Sequence, residues 1–464
     1  MISPAAIMEL KQIVGPEHLK TPYDDLSAYA TDGTKLKYPP DAVALPGTGE
    51  EISLIMLLAN RERFPVIPRG GGSGMTGGAL AVQGGLVLSL ERFNRILMID
   101  RENLIAKVEP GVITEHLQQE VEKLDLFYPP DPASADVSSL GGNVAECAGG
   151  LRGLKYGVTR DYILGLTVVL PTGEIIKTGV DTMKGVAGYD LTRLIVGSEG
   201  TLAVITSITL RLVPKPPAKR AMTAFFRDVR AAAKTVSNII REKITPATLE
   251  FMDRQCIDCV RDEMDIDIPV DAGAMLLIET DGDHDVVEKE AQKLKDICLR
   301  SGAMRLNIAT NKEEFDRVWE ARRGVSPSLK NLRPGKVSED VVVPRSRLVN
   351  LVSSLNDMAD KYALPIASFG HAGDGNIHVN ILIDPDNREE VGKAGLAVKE
   401  LFEIVVALGG TITGEHGIGI TKAPYMELEF PKPALDLMAR LKAAFDPNGI
   451  LNPGKIFLEK KAVL

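Results

Sequence analysis

The sequence predicts an α+β fold in two parts, and the evidence is a change of texture along the chain. Up to about Leu212 glycine is dense and short Val/Ile/Leu strands alternate with short helices. Beyond it, longer helices alternate with strands, the pattern of an antiparallel sheet covered by helices. Between the two, Val213 to Lys219 (Val-Pro-Lys-Pro-Pro-Ala-Lys) crowds three prolines into a few residues, which ends both helix and sheet and reads as a linker. Glycine returns from Gly409. The expected division is therefore 1–215, 216–410 and 411–464, with the last segment folding back onto the first; a length of 464 residues fits a prior of roughly 150 residues per domain.

Taken in order, Gly49 to Arg63 reads as a helix whose Ile52, Ile55, Met56 and Leu58 share one side. Phe64 to Gly78 (Phe-Pro-Val-Ile-Pro-Arg-Gly-Gly-Gly-Ser-Gly-Met-Thr-Gly-Gly) is a strand running into a glycine loop, where successive N–H groups unshielded by side chains can wrap an anion such as a pyrophosphate. That points to a nucleotide cofactor. Gly72, Gly74 and Gly77 satisfy G-x-G-x-x-G, but a Rossmann fingerprint opens a helix, whereas Ala79 to Leu90 reads as two β-like runs around Gly84-Gly85. A purely structural glycine turn is the other alternative. Two further glycine-bearing segments are Pro130 to Gly150 and Gly197 to Ile205.

In the second part, helices are expected at Val229 to Arg241, Val286 to Ser301, Lys312 to Gly324 and Arg347 to Tyr362, and strands at Ala221 to Phe226 and Ala274 to Glu279. Leu249 to Glu263 reads as helix, a further helix spans Lys432 to Phe445, and Asp446 to Ile456 forms the tail.

Hydrophobic content of 44%, charged content of 25% and a net charge of −9 describe a globular chain and disfavour nucleic acid or an anionic membrane as partner. No apolar run approaches the roughly 18 residues of a membrane span, and the N-terminus lacks a signal-peptide pattern, so a cytoplasmic protein, peripheral to a membrane at most through a partner, is expected. The four cysteines do not make a disulfide framework, and the single C-x-x-C of Cys256 and Cys259 is half a metal site at best, so structural packing is the simpler reading.

Chemistry concentrates in two glycine-rich stretches that hold three of the six histidines: Ser368 to Asn380 (Ser-Phe-Gly-His-Ala-Gly-Asp-Gly-Asn-Ile-His-Val-Asn) and Gly414 to Gly419 (Gly-Glu-His-Gly-Ile-Gly). Ile366 to His371 and Ile377 to Ile383 read as a hairpin, which brings His371 and His378 together. On its second strand His378, Asn380 and Leu382 share one face, while Asp374 closes the turn. Two imidazoles and the Glu415 carboxylate make a set that Zn²⁺ accepts, as do Mn²⁺ and Fe²⁺, and His416 is left as a base. Each histidine alone reads equally as an ordinary loop residue; together they read as a site. In the helix from Lys312, residues Phe315, Val318, Trp319 and Arg322 fall on one face, so Arg322 projects from an apolar side and needs an anion there. That anion is either a substrate carboxylate or an internal ion-pair partner, with Arg323 as the solvated neighbour.

With Pro68 to Gly78, Pro130 to Asn143, Gly197 to Leu202, the histidine hairpin, Glu415-His416 and Asn452-Pro-Gly-Lys in that order, the chain resembles the FAD-linked 2-hydroxy-acid dehydrogenases of the vanillyl-alcohol-oxidase type. This family includes flavin subunits of glycolate oxidase, D-lactate dehydrogenases and D-2-hydroxyglutarate dehydrogenases. The resemblance implies a two-part FAD-binding domain and a substrate (cap) domain. It places flavin contacts on Arg69, Gly70, Gly71, Gly72, Ser73, Gly74, Met75, Pro130, Ser134, Gly141, Gly142, Asn143, Glu199, Gly200, Ile205 and Asn452, although the Glu199 carboxylate can instead tie its turn together. Gly72-Ser73-Gly74 stands where many relatives carry a flavin-linking histidine, so non-covalent FAD is expected.

The same resemblance makes Arg322 and Ser326 substrate contacts. It matches the family's substrate lysine to Ser338, which disfavours a second substrate carboxylate and favours D-lactate or glycolate over 2-hydroxyglutarate. His416 becomes the catalytic base, Asn380 a substrate or ligand contact, and His371, His378 and Glu415 the metal ligands. With no cluster or haem motif in the chain, electrons should pass to an iron-sulfur partner subunit, an electron-transferring flavoprotein or a quinone-linked chain. The sequence also allows a homo-oligomer. An ether-lipid synthase of the same flavoprotein type, resembling alkyl-dihydroxyacetone-phosphate synthase, is the competing class.

Overall fold

The computed structural model describes residues 1–21, 26–261, 268–309 and 311–457. It divides into two compact units, one of Met1–Gly149, Val158–Lys215 and the chain from Glu415, the other of Gly150–Gly157 and Pro216–Gly414.

The first unit holds two larger sheets besides a two-stranded one. One runs in the order Leu19–Lys20, Ala42–Ala44, Leu86–Ser89, Val66–Arg69, its last three strands parallel. The other is antiparallel, in the order Ile96–Asp100, Ile105–Val108, Val204–Arg211, Ile163–Val169, Ile175–Gly179. Helix Gly49–Glu62 starts on the Thr48 hydroxyl, which accepts from Glu51 N, and buries Ile52, Ile55, Met56 and Leu58 as its periodicity required. The glycine loop leaves strand Val66–Arg69 and opens no helix before Leu86, so a Rossmann arrangement is absent; Ala79–Val82 is turn rather than the expected β-like run. The tail returns as expected, with Leu451 bridging Val66 in parallel and Ile450 and Leu451 buried in the core of this unit.

The second unit is built on one seven-stranded antiparallel sheet. Its order is Arg305–Ile308, Ala218–Phe226, Ala274–Gly282, Thr248–Asp253, Ile366–Gly370, Asn376–Ile383, Gly335–Val342. Helices His284–Arg300, Val229–Arg241, Leu348–Tyr362 and Arg388–Ala407 pack in that order, each on the next, while Arg254–Val260 packs with Lys312–Ser328. The core beneath the latter pair joins Phe225, Met252, Phe369 and Leu382 of the sheet to Cys256, Val325 and Leu329. Covered in this way, strand Asn376–Ile383 is buried at every position, so its polar residues lie inside the unit.

Several expectations are corrected. Leu249 to Asp253 is strand, not helix; the helix begins only at Arg254, capped by Asp253, and residues 262–263 of that expected segment lie outside the described residues. The proline-rich stretch carries strand at Val213–Pro214, paired with Leu126–Phe127, and again from Ala218, which leaves a much shorter connection. The helix from Lys312 passes Gly324 and reaches Ser328 with Pro327 inside it, because the added turn buries Val325 and leads into buried Leu329. Gly150–Gly157 belongs to the second unit, where Lys155 Nζ and Tyr156 Oη donate to the Asp281 carboxylate, and so does the stretch up to Gly414, where Thr411 pairs with Val342.

Leu451→Ala should destabilise the first unit by about 2–5 kcal/mol, the range for truncating a fully buried leucine. A lower thermal midpoint is the expected readout.

Candidate active site

Four segments far apart in sequence converge in the first unit. The 70–71 loop lies so close to residues 137–142 that a Cβ on Gly70 would stand 2.2 Å from Ser139 Oγ and one on Gly71 2.3 Å from Val137 O. Glycine is needed here for close packing, and Gly72 adds a left-handed φ of 69°. Gly141, Gly142 and Asn143 form the first turn of helix Leu140–Glu146, capped by Ser139, so their N–H groups stand at a helix N-terminus beside the loop. At the other end of that helix, Gly197 N and Glu199 N donate to Val144 O and Ala145 O. Asn452 Nδ2 donates to Gly78 O and Glu199 O, and Lys455 Nζ to Leu80 O and Asn452 Oδ1.

The remaining expected flavin residues sit around this cradle. Ser134 O accepts from Val137 N and Ser138 N, Pro130 O accepts from Gln118 Nε2, and Gly74 O accepts from Gly33 N. The Ser73 backbone and Met75 Sδ pack close against Gly33, Gly200 packs on Pro68, and Ile205 lies at a bulge of its strand.

Glu199 is used structurally. With φ at 53° it turns its carboxylate onto the N–H groups of Ile418 and Gly419, at 2.7 and 2.6 Å, and so ties the Gly414–Gly419 loop. Arg69 donates through Nη2 to Ala28 O and Thr31 O. Its Nη1, Asp32 Oδ2 and Glu146 Oε2 are buried polar atoms with no hydrogen-bond partner in the protein, which is how a cradle for a polar cofactor looks. Sequence reasoning missed Asp32 and Glu146. Burial pushes the Glu146 carboxyl well above the carboxylate range, reinforced by Glu199 and Asp32 and opposed by Lys455, while burial lowers the Lys455 ammonium to about 8.

In the second unit the hairpin forms as read. Phe369 pairs with His378, and the turn is closed by Asp374, whose carboxylate accepts from Asn376 N. The His371 and His378 rings stand edge to face with centroids 5.2 Å apart. Asp340, opposite His378 on strand Gly335–Val342, accepts from Gly414 N at 2.7 Å and so fixes the residue to which Glu415 is peptide-bonded. Ligand atoms of His371, His378 and Glu415 lie within 4.8 Å of one another, the one such group of three among the described residues. His416 follows, its carbonyl accepting from Thr76 Oγ1.

The residue that organises the second unit's part of the site was not anticipated. Glu250, fully buried in strand Thr248–Asp253, places Oε1 2.6 Å from His371 Nδ1 and Oε2 2.7 and 2.6 Å from Arg322 Nε and Nη2. A carboxylate can only accept, so His371 carries a proton on Nδ1, which leaves Nε2 as the nitrogen that could face a metal. Burial would raise the Glu250 carboxyl, but His371 and Arg322 outweigh it and hold it below its ordinary value.

The anion Arg322 needs is therefore at least partly supplied from within the protein. The guanidinium lies over Phe369, 4.6 Å from the ring centre, and Arg323 is exposed as expected. Ser326, one helical turn beyond Arg322, accepts from Lys336 Nζ at 2.7 Å. Ser338 Oγ donates to Asn380 Oδ1, and Asn380 Nδ2 to Ala367 O, so Asn380 also braces the strands. All four cysteines are buried, and Cys256 Sγ donates to Ser368 O, which supports packing rather than metal or redox work.

The family model for the FAD linked oxidases, C-terminal domain, matches residues 215–456, and one for an FAD binding domain matches residues 40–179. The chain belongs to the FAD-linked oxidases. Glycolate oxidase subunit GlcD of Bacillus subtilis (strain 168) is 48% identical over 462 residues, covering 98% of this chain and 97% of that one. D-lactate dehydrogenase of Anaerostipes hadrus is 33% identical, covering 94% and 92%. The crystal structure of p-cresol methylhydroxylase with substrate bound superposes with a TM-score of 0.80 at 20% identity, over 99% of this chain and 98% of that one, and establishes the fold as the vanillyl-alcohol-oxidase type. This FAD-linked oxidase is accordingly an FAD-binding oxidoreductase. Among the described residues no helix is long and apolar enough to cross a membrane.

A carboxyl whose pKa is raised on folding contributes stability below its unfolded value, near about 4.3, and that contribution is lost as pH rises towards and through the folded value. For Glu146, with Glu199, Asp32 and Lys455 around it, Glu146→Gln should leave the thermal midpoint of the flavin-loaded protein unchanged near pH 4 and raise it at pH 8. Parallel midpoint-against-pH curves for both proteins would contradict the assignment.

Proposed function

We propose that this FAD-linked oxidase is a metal-dependent dehydrogenase of small D-2-hydroxy acids, glycolate or D-lactate, that yields the 2-oxo acid. The observation that carries this reading is the convergence of His371, His378 and Glu415, with Glu250 setting the imidazole tautomer and linking to the buried Arg322. Support for the substrate class comes from the glycolate oxidase subunit and the D-lactate dehydrogenase among the relatives. The donor set fits Zn²⁺, Mn²⁺ or Fe²⁺.

When bound, FAD accepts a hydride at N5, and a divalent ion lowers the pKa of an alcohol it holds. His371, His378 and Glu415 are the residues to hold that ion. Arg322 then takes the substrate carboxylate on the guanidinium edge not used by Glu250, and Ser326 and Asn380 orient the substrate. His416 receives the hydroxyl proton. Arg69, the 70–75 backbone, Pro130, Ser134, the 141–143 helix start, the backbone at Glu199 and Gly200, Ile205 and Asn452 cradle the flavin. No histidine stands in the 70–78 loop, so the flavin is held non-covalently. Electrons leave to an external acceptor, an iron-sulfur partner subunit or an electron-transferring flavoprotein, in a cytoplasmic or membrane-peripheral setting.

One observation favours a second, longer substrate. Lys336 shares a face of its strand with Ser338, two residues on, and places its ammonium on Ser326. A cation there suits a second carboxylate, as in D-2-hydroxyglutarate.

Purified protein should be yellow and bleach anaerobically with glycolate or D-lactate. A chelator or His378→Ala should abolish bleaching while the flavin stays bound; bleaching that persists in metal-free protein would sink the metal's role. Arg322→Lys should raise KM by about 10–100-fold, because an ammonium cannot replace a guanidinium shared between two carboxylates. A kcat/KM for D-2-hydroxyglutarate above that for both smaller acids, and lost in Lys336→Met, would favour the longer substrate.

A further inference from the structure

We infer that Glu250 is a positioning residue that couples the metal subsite to the carboxylate subsite, so that neither holds its geometry without it. The inference rests on the proposed reading of the site and extends the part that Glu250 plays in it. Three observations carry it.

The ladder between Thr248–Asp253 and Ile366–Gly370 pairs Phe251 with Gly370 and Met252 with Phe369; one residue further, the same register sets Glu250 against His371 at the strand end. The backbone, rather than a flexible side chain, thus presents the carboxylate to the imidazole. Secondly, both oxygens are engaged, Oε1 on His371 and Oε2 on two nitrogens of Arg322, at 2.6 to 2.7 Å, and the side chain is 1% exposed. Thirdly, Arg322 stacks on Phe369, and Phe369 in turn lies 5.3 Å from the His378 ring, so the second imidazole belongs to the same packed group.

A single carboxylate therefore fixes the tautomer of one expected metal ligand and the plane of the guanidinium expected to receive the substrate. A carboxamide cannot reproduce this. In Glu250→Gln one end of the amide would accept, but the other would turn an N–H₂ onto a donor, either the Arg322 fork or the His371 N–H. Both subsites should loosen together. Loss of an outer-shell carboxylate typically weakens metal binding by about 10–100-fold, and a comparable fall is expected for a small dianion on Arg322.

The test uses flavin-loaded full-length protein stripped of metal, titrated calorimetrically with Zn²⁺ and with Mn²⁺, and then, metal-loaded, with oxalate, a two-carbon dianion with no hydrogen to lose. Glu250→Gln should lower metal affinity and oxalate affinity each by about 10–100-fold. Arg322→Lys, by contrast, should weaken oxalate and leave the metal within about threefold, because Glu250 still holds His371. The far-UV spectrum, thermal midpoint and flavin content separate these effects from misfolding; if Glu250→Gln does not fold, Glu250→Asp, which keeps the charge but cannot span both partners, should show the same double loss. Glu250→Gln protein that binds metal and oxalate like the wild type overturns the coupling, as does loss of one affinity alone. Wild-type protein that takes up neither metal ion instead overturns the proposed function on which the coupling stands.

Discussion

A carboxylate buried with no partner would be penalised by several kcal/mol, so the second unit's part of the site depends on Glu250 having both oxygens occupied. The pairing with Arg322 sets two opposite charges against each other within the covered face of the sheet, and the other carboxylate oxygen holds the His371 ring. Of the three side chains that converge on one point, His371 is the one whose ring is held from behind by this carboxylate.

The cradle in the first unit rests on a different device, backbone contact. Its loop, helix start and C-terminal tail are joined chiefly through carbonyl and N–H groups, with Asn452, Lys455 and Glu199 reaching from side chain to main chain. Such joints do not depend on which side chains face the cofactor. They also explain why glycine is obligatory at Gly70 and Gly71, whose neighbours leave no space for a Cβ. The charged residues buried here, Glu146, Glu199 and Lys455, make the cradle sensitive to protonation.

What was legible in the sequence was what local periodicity controls. The helices Val229–Arg241 and Lys432–Phe445 appear with the bounds their patterns imply, the histidine hairpin appears with two of its strand ends shifted by one residue, and the convergence of His371, His378 and Glu415 follows from a hairpin plus one distant loop. Strand Thr248–Asp253 was misread because it is covered on both faces, so Leu249, Phe251 and Met252 give no clean alternation and the C-x-x-C helix behind it lends its period. Glu250 was lost with that misreading, although a lone carboxylate amid Leu, Phe and Met was the available signal. The role of Asp340 could not be read at all, since it anchors Gly414 from 74 residues away.

The same face of the sheet shows why the ligand hairpin is interior. Asp340 opposite His378, Ser338 opposite Asn380 and Lys336 opposite Leu382 form successive rungs of one ladder, and strand residues that face each other point to the same side. Their polar groups therefore stand in a row beneath the helix that carries Arg322 and Ser326. Moving along the row, acid and imidazole give way to hydroxyl and amide and then to an ammonium set against an apolar leucine.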